Sequence, residues 1–383
     1  MSRHNRGRGQ WEDEPNYEKI RRRSGKKEII HELFQSPDLW SFEGGSFAAR
    51  VVEVHKRYVF VSSERALGDI DTKDVWLATV AKKYLTNQRQ ERNFVTVGDR
   101  VLCSPVSESE KVTLDDLPQC VIQQAAIREN QIYRTDPLRD KRNHILASNL
   151  DQLMLVASIV NPGIKWGFLD RMLLIAEEQE IPAVLVFNKF DLAKQFPSEF
   201  ALAMERISYY QQLGYDFLNI SAGAEDFKNS DQFQQLRALT KDKITLIAGQ
   251  SGVGKSSLVN RFDPEIIQAV EDNPDIFYKG RHTTSFASFL RIGPKSYLID
   301  TPGVKGFGIR KKGPASLAYG FRDFRPHLSH CQYRECSHTH EPICEVRAAV
   351  EKKQIADWRY KSYLGIYSGE SGREGRAGQI DEG

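Results

Sequence analysis

Gly249-Gln250-Ser251-Gly252-Val253-Gly254-Lys255-Ser256 is a complete G-x-x-x-x-G-K-[ST] phosphate-binding loop, extended by Ser257. It follows an apolar run, Ile244 to Ala248, and opens a helical pattern reaching Arg261. Such a loop wraps an anion in consecutive backbone N–H groups at the start of a helix. Lys255 is the residue type that reaches β- and γ-phosphates, and Ser256 the hydroxyl that ligates Mg²⁺. A second nucleotide motif, Asn188-Lys189-Phe190-Asp191, stands about sixty residues before this loop instead of after it. The Asp191 carboxylate can accept from the N1–H and exocyclic amine of guanine, whereas adenine presents an acceptor at N1. Leaving that carboxylate unpaired in a closed site costs about 1–3 kcal/mol, so guanine is preferred. Asn219-Ile220-Ser221-Ala222, about thirty residues on, completes the base-reading set. Both halves of a guanine-nucleotide site are present in reversed order, which points to a circularly permuted G domain.

Beyond the loop, Asp300-Thr301-Pro302-Gly303 closes another strand pattern. Asp300 is placed to hold Mg²⁺ through a water, and the Gly303 N–H to contact a γ-phosphate. Between them lies Gly280-Arg281-His282-Thr283-Thr284, where Thr283 or Thr284 is expected to close over Mg²⁺ as a switch. Many GTPases carry a water-orienting Gln directly after the Asp-x-x-Gly motif. Here that position is Val304, which cannot polarise water, so slow basal turnover is expected. His282 is the nearby residue with suitable acid–base chemistry.

Cys331, Cys336, His338 and Cys344 supply three thiolates and one imidazole, the donor set of a tetrahedral structural zinc. His330 and His340 compete for the fourth position. Four protein ligands leave no place for an activated water, so one structural zinc per chain is expected. Residues 310–365 read as poor in apolar material, which makes metal binding, on the order of 10 kcal/mol, the expected source of folding energy. Three of the five cysteines fall in this cluster, which fits a metal site in a reducing cytoplasm better than a disulfide framework.

The chain has 383 residues, enough for two or three domains, and no apolar run long enough to span a membrane. Its net charge of +3 is unevenly spread. Residues 1–30 carry nine Lys/Arg against five Asp/Glu, and residues 305–361 carry twelve against six. Basic ends around an acidic middle suit contact with nucleic acid. Short branched and aromatic runs between Phe47 and Gln123, with turns at Gly68-Asp69 and Gly98-Asp99, predict a small closed barrel such as an OB-fold. From Asp151 strand and helix patterns alternate, predicting an α/β sheet with ligands at the carboxyl ends of its strands. Ala348–Tyr363 reads as one basic helix, and the residues from Gly365 as a disordered tail. The resulting fold class is multidomain α/β: a basic, mostly disordered extension over 1–44, an OB-fold over 45–125, a permuted G domain over 132–308, a helical zinc domain over 309–365, and a tail over 366–383.

These motifs, in this order, resemble the RsgA (YjeQ) family of circularly permuted GTPases that assist maturation of the small ribosomal subunit. The resemblance covers about residues 45–365. It implies GTP hydrolysis with Mg²⁺, binding to the 30S subunit and its 16S rRNA, and stimulation of hydrolysis by the ribosome. It selects His338 as the fourth zinc ligand and favours His282 as the catalytic histidine beside Lys255. A cytoplasmic monomer without membrane attachment is expected. The competing readings are a permuted GTPase acting on the large subunit, a P-loop ATPase or kinase, and a nucleic-acid-binding module with a degenerate nucleotide site. Complete Lys255, Ser256 and Asp300 argue against the last of these.

Overall fold

The computed structural model describes residues 45–55, 59–63, 75–81, 94–107, 117–136, 140–262, 287–300 and 313–369. The N-terminal extension, the final residues 370–383, Gly68-Asp69, and all of 263–286 and 301–312 lie outside the described residues.

Alternating apolar residues in short strands close the first unit into a barrel. Strands β1 (Phe47–Val54), β2 (Val59–Ser63), β3 (Val75–Val80), β4 (Arg100–Pro105) and β5 (Gln119–Ala125) run in the order β1-β2-β3-β5-β4, with β4 returning to β1. Only β3 and β5 are parallel, the arrangement of an OB-fold. Val51, Val61, Ala78, Val101 and Ile122 fill the interior, together with Cys103 and Cys120.

The sequence reading missed a hairpin, β6 (Gln131–Asp136) and β7 (Asp140–Ser148), which stands outside both larger sheets. Its end is tied to the barrel by one buried carboxylate. Asp99 accepts from Thr96 N–H at 2.8 Å, from Ser148 Oγ at 2.6 Å, and from Arg128 Nε and Nη2 at 2.7 and 2.8 Å. A buried charge satisfied on every side holds a junction in one geometry, because any displacement leaves it unpaired.

The second unit is a six-stranded sheet. It is formed by β8 (Gln152–Ser158), β9 (Ala183–Asn188), β10 (Asp216–Asn219), β11 (Ile244–Gly249), β12 (Ser288–Gly293) and β13 (Ser296–Asp300). Their order is β10-β9-β8-β11-β13-β12, all parallel except the edge strand β12. Strands β8 and β9 are apolar almost throughout because both faces are covered. Leu153 and Leu155 face a layer made by α1 (Trp166–Glu178) and α2 (Pro197–Gln212). Met154 and Val156 face the opposite layer, made by α3 (Asp231–Thr240) and α4 (Lys255–Val259). The chain first walks outward from β8 to β10, then returns through α3 to β11 beside β8. That reversal opens the crevice in which ligands of doubly wound sheets bind.

The C-terminal unit departs from the sequence reading in three ways. It has its own core of Leu317, Phe321, Phe324, Val346, Ile355 and Tyr363, and it borrows Leu174 from α1. The apolar material is aromatic and scattered, so no helical period announced it. The single helix read over Ala348–Tyr363 is two, α7 (Glu345–Glu351) and α8 (Asp357–Ser368), which follow α5 (Pro314–Tyr319) and α6 (Arg325–Leu328). Lys353 turns into the left-handed region at φ +59, and the N–H groups of Gln354 and Ile355 return to Ala349 O, which buries Ile355. Finally, α8 continues past Gly365 to Ser368 because Ile366 belongs to the core.

This unit is locked to the sheet by a buried ion cluster. Arg359 on α8 pairs with Asp170 on α1, and its Nε and Nη2 lie 3.3 Å from the Asp323 carboxylate oxygens. Tyr210 donates to Asp170, and Tyr209 donates to Asp323 at 3.0 Å. Burial pushes the Asp170 carboxyl up, and the Arg359 guanidinium opposes that shift. Breaking one partner of a buried pair strands the others, at a cost of about 3–5 kcal/mol. Arg359→Ala should therefore weaken this docking by that amount, seen as earlier urea unfolding by Trp358 fluorescence. An unchanged midpoint would show that the cluster contributes nothing net.

Candidate nucleotide site and metal centre

Four loops meet at the crevice between β8 and β11. Strand β11 ends in Gly249, and the loop that follows enters α4 at Gly254 and Lys255. A Cβ on Gly249 would lie 2.2 Å from Val156 O, so only glycine lets the loop leave so close to β8. Gly254 sits at φ +94, and a Cβ there would meet Asn188 Nδ2 at 2.3 Å. The phosphate loop is glycine-rich partly because the base motif is packed against it.

Asn188, at the end of β9 and buried, makes that junction. Its Nδ2 donates to Val253 O at 2.9 Å, and its Oδ1 accepts from Ala222 N–H at 2.9 Å. Lys189, in the left-handed region at φ 60, donates to Gly252 O at 2.8 Å and to Asn161 O. Ser221 Oγ accepts from the Asp191 N–H at 3.0 Å, and Asp191 is exposed. Two motifs far apart in sequence and reversed in order thus form one contiguous surface.

Lys255 Nζ donates to Gly249 O and Gln250 O, each at 2.8 Å. Burial pushes its ammonium pKa down, while the Asp300 carboxylate raises it. A partly desolvated ammonium held by two carbonyls is ready to donate to phosphate oxygens. Ser251, Ser256 and Ser257 are exposed around it, and Val253 is buried beneath. Asp300 ends β13, the strand beside β11, in register with Ile247, two residues before Gly249. Its carboxylate near Lys255, with the exposed Ser256 hydroxyl, is an oxygen donor set suited to Mg²⁺. His282, Thr283, Thr284, Gly303 and Val304 lie outside the described residues.

Sequence motifs did not single out Arg261. It follows α4 and donates from Nε to Ala222 O at 3.0 Å, so it grips the base loop from the far end of the phosphate-loop helix.

In the C-terminal unit the donor atoms of Cys331, Cys336, His338 and Cys344 all lie within 4.8 Å of one another. Cys331 Sγ is 3.6 Å and Cys344 Sγ 3.4 Å from His338 Nδ1. A tetrahedron with metal–ligand arms of about 2.1–2.3 Å has mixed edges of roughly 3.5 Å, which the two His338–cysteine distances match. His330 and His340 are exposed, and their Nδ1 atoms pair with Ser329 Oγ and Thr339 Oγ1. Burial pushes the Cys336 thiol up to about 12 and the His338 imidazole down. Only a cation among them would favour the thiolates.

Residues that sequence spacing did not flag hold this cluster open. Glu341 accepts from the N–H groups of Ser337, Thr339 and His340 at 2.6, 3.1 and 3.3 Å. Tyr360 and Tyr363 donate to His338 O and Ser337 O at 2.6 and 2.8 Å. Together they fix the left-handed turn at His338, φ 56. In the sequence Glu341, between His340 and Pro342, reads as ordinary surface charge.

The fold and the crevice define a class: a P-loop GTPase domain in circularly permuted order, carrying an N-terminal barrel and a C-terminal metal-cluster unit. A family model described as RsgA GTPase matches residues 125–310. The chain is 35% identical over 274 residues to the small ribosomal subunit biogenesis GTPase RsgA of Phocaeicola vulgatus, covering 72% of this chain and 83% of that one. The Porphyromonas gingivalis protein of the same name is 38% identical over 283 residues, covering 73% and 85%. The crystal structure of YjeQ from Thermotoga maritima superposes with a TM-score of 0.62 at 28% identity, covering 86% of this chain and 99% of that one. YloQ, described as a circularly permuted GTPase, shares the fold with a TM-score of 0.60 at 24% identity. This chain belongs to the RsgA GTPase family.

Proposed function

We propose that the chain hydrolyses GTP to GDP and phosphate and acts in the biogenesis of the small ribosomal subunit, on the 30S particle and its 16S rRNA. The observation that carries the GTP reading is Asn188, which bonds the phosphate loop with one side-chain atom and the base loop with the other. The small-subunit role is carried by family membership, since the matched relatives bear that name.

In this reading Asn188 and Lys189 set the distance between base and phosphates, and Asp191 accepts from guanine. Ser221 and Ala222 close over the base. Gly249, Gln250, Ser251, Gly252, Val253, Gly254 and Ser257 surround the phosphates, and Lys255 neutralises charge that builds during phosphoryl transfer. Ser256, Asp300 through a water, and Thr283 or Thr284 would hold Mg²⁺, which would supply positive charge to offset that of the phosphates. His282 orients the attacking water in place of the glutamine that Val304 replaces, and Gly303 contacts the γ-phosphate. Cys331, Cys336, His338 and Cys344 hold one structural zinc. Among the described residues no helix is long and apolar enough to cross a membrane. A cytoplasmic monomer working at the ribosome is the form proposed.

Asp191→Asn should weaken GDP binding by about tenfold or more, because an amide donor then faces the donors of guanine and about 1–3 kcal/mol is lost. Competition of fluorescent GDP with unlabelled GDP and ATP measures this. Equal competition by ATP in the wild type would remove the GTP reading. Co-sedimentation with separated 30S and 50S particles, with a GTP analogue or GDP, tests the subunit. Retention by 50S alone would favour the large-subunit alternative. His282→Ala in single-turnover hydrolysis on 30S particles tests the water-orienting role.

A further inference from the structure

Arg261 belongs to none of the recognised nucleotide motifs, yet it touches one of them. Its Nε donates to the carbonyl of Ala222 at 3.0 Å, and Ala222 is fully buried. The N–H of the same residue is held by Asn188 Oδ1 at 2.9 Å. Asn188 in turn donates to Val253 O in the phosphate loop. A closed circuit results: phosphate loop to Asn188, to the two peptide groups of Ala222, to Arg261, and back along α4 to the phosphate loop.

The aim of the arginine is set by the core. Arg261 N–H bonds Leu258 O at 3.1 Å and Phe262 N–H bonds Val259 O at 3.1 Å, closing a turn just past α4. Phe262 is buried, its ring 5.6 Å from Phe233 of α3. The backbone that carries the guanidinium is therefore anchored on both sides. A guanidinium brings a permanent charge and a fixed planar fork, so the hydrogen bond it makes is stronger than that of a neutral donor.

We propose that Arg261 is a positioning residue for the base. It fixes the peptide groups of Ala222, and with them the Ser221–Ala222 loop that closes over the base, so that the bound nucleotide is retained. The proposal rests on the GTP reading above and adds a residue to it. It also makes the far end of the phosphate-loop helix a place where movement would loosen the base without touching a phosphate.

Stopped-flow release of methylanthraniloyl-GDP from the full-length chain tests it. Arg261→Ala should raise the dissociation rate on the order of tenfold to a hundredfold, the worth of one hydrogen bond from a charged donor. The association rate and the melting temperature should stay near those of the wild type. Arg261→Lys keeps a cationic donor and should recover a measurable part of the retention. Release from Arg261→Ala within twofold of the wild type overturns the inference. So does a lowered melting temperature with no recovery in Arg261→Lys, since that pattern marks a purely structural role. A wild type that fails to bind the probe and binds the ATP analogue would instead remove the GTP reading itself.

Discussion

Lys255→Ala is expected to abolish measurable GTP turnover while leaving the fold intact. Among the described residues Lys255 Nζ bonds two loop carbonyls, Gly249 O and Gln250 O, and feels the Asp300 carboxylate. The loop is anchored from beneath by the buried Val253 and Leu258 and not by the ammonium, so little stability should be lost. The catalytic loss is larger. Removing one preorganised charge from a site where charge develops costs roughly 10²–10³-fold in rate. Phosphate release under single-turnover conditions with 30S particles, beside circular dichroism of the variant, measures both effects. Wild-type turnover in Lys255→Ala would take this residue out of the mechanism.

Metal removal is expected to act at the other end of the molecule. Chelation, or Cys336→Ser, should collapse the turn around His338, because four donors within 4.8 Å repel or stay protonated when nothing cationic holds them. Zinc in comparable sites contributes on the order of 10 kcal/mol. The aromatic core of Phe321, Phe324 and Tyr363 packs directly against His338 and should loosen with it. Nucleotide binding should survive, since the crevice is built by the six-stranded sheet. Metal analysis should return about one zinc per chain, and hydrogen exchange should show lost protection over α7 and α8. A metal-free preparation with full protection there would sink the structural role of the cluster. The core found in this unit changes the expected depth of the collapse. Arg359 and Leu174 tie the helices to the sheet, so residual helix should remain where the sequence alone suggested complete unfolding.

The C-terminal unit is docked on α1 and α2 through Arg359, and through Arg322 and Arg325 on Glu177 at 2.7 and 2.6 Å. Both helices lie on the face of the sheet opposite α3 and α4. Residues 301–312, which join the sheet to this unit, lie outside the described residues.

What could be read in the sequence were the features whose chemistry is local. A phosphate loop needs glycines and a lysine at fixed spacing, so residues 249–256 declared it. Continuous apolar runs at 153–158, 183–187 and 244–248 marked buried parallel strands, because both faces of such a sheet are covered. Cysteine and histidine spacing pointed to a metal set but left His330, His338 and His340 open for the fourth place, and the fold brings His338 to the three thiols. The reversed order of Asn188 and Gly249 was enough to indicate permutation. Tertiary structure alone decided what depends on distant residues meeting. The hairpin at 131–148 escaped the sequence reading because its few apolar positions, Ile132, Ile145 and Ala147, are buried against other elements, and its end is tied through Ser148 to Asp99. The split of α7 from α8 follows from the need to bury Ile355, which no local propensity encodes. Arg359, Glu341 and Arg261 each look like ordinary surface charge in the sequence. They become an interdomain clasp, a turn organiser and a grip on the base loop only when the fold brings Asp170, three backbone amides and Ala222 O within hydrogen-bonding reach.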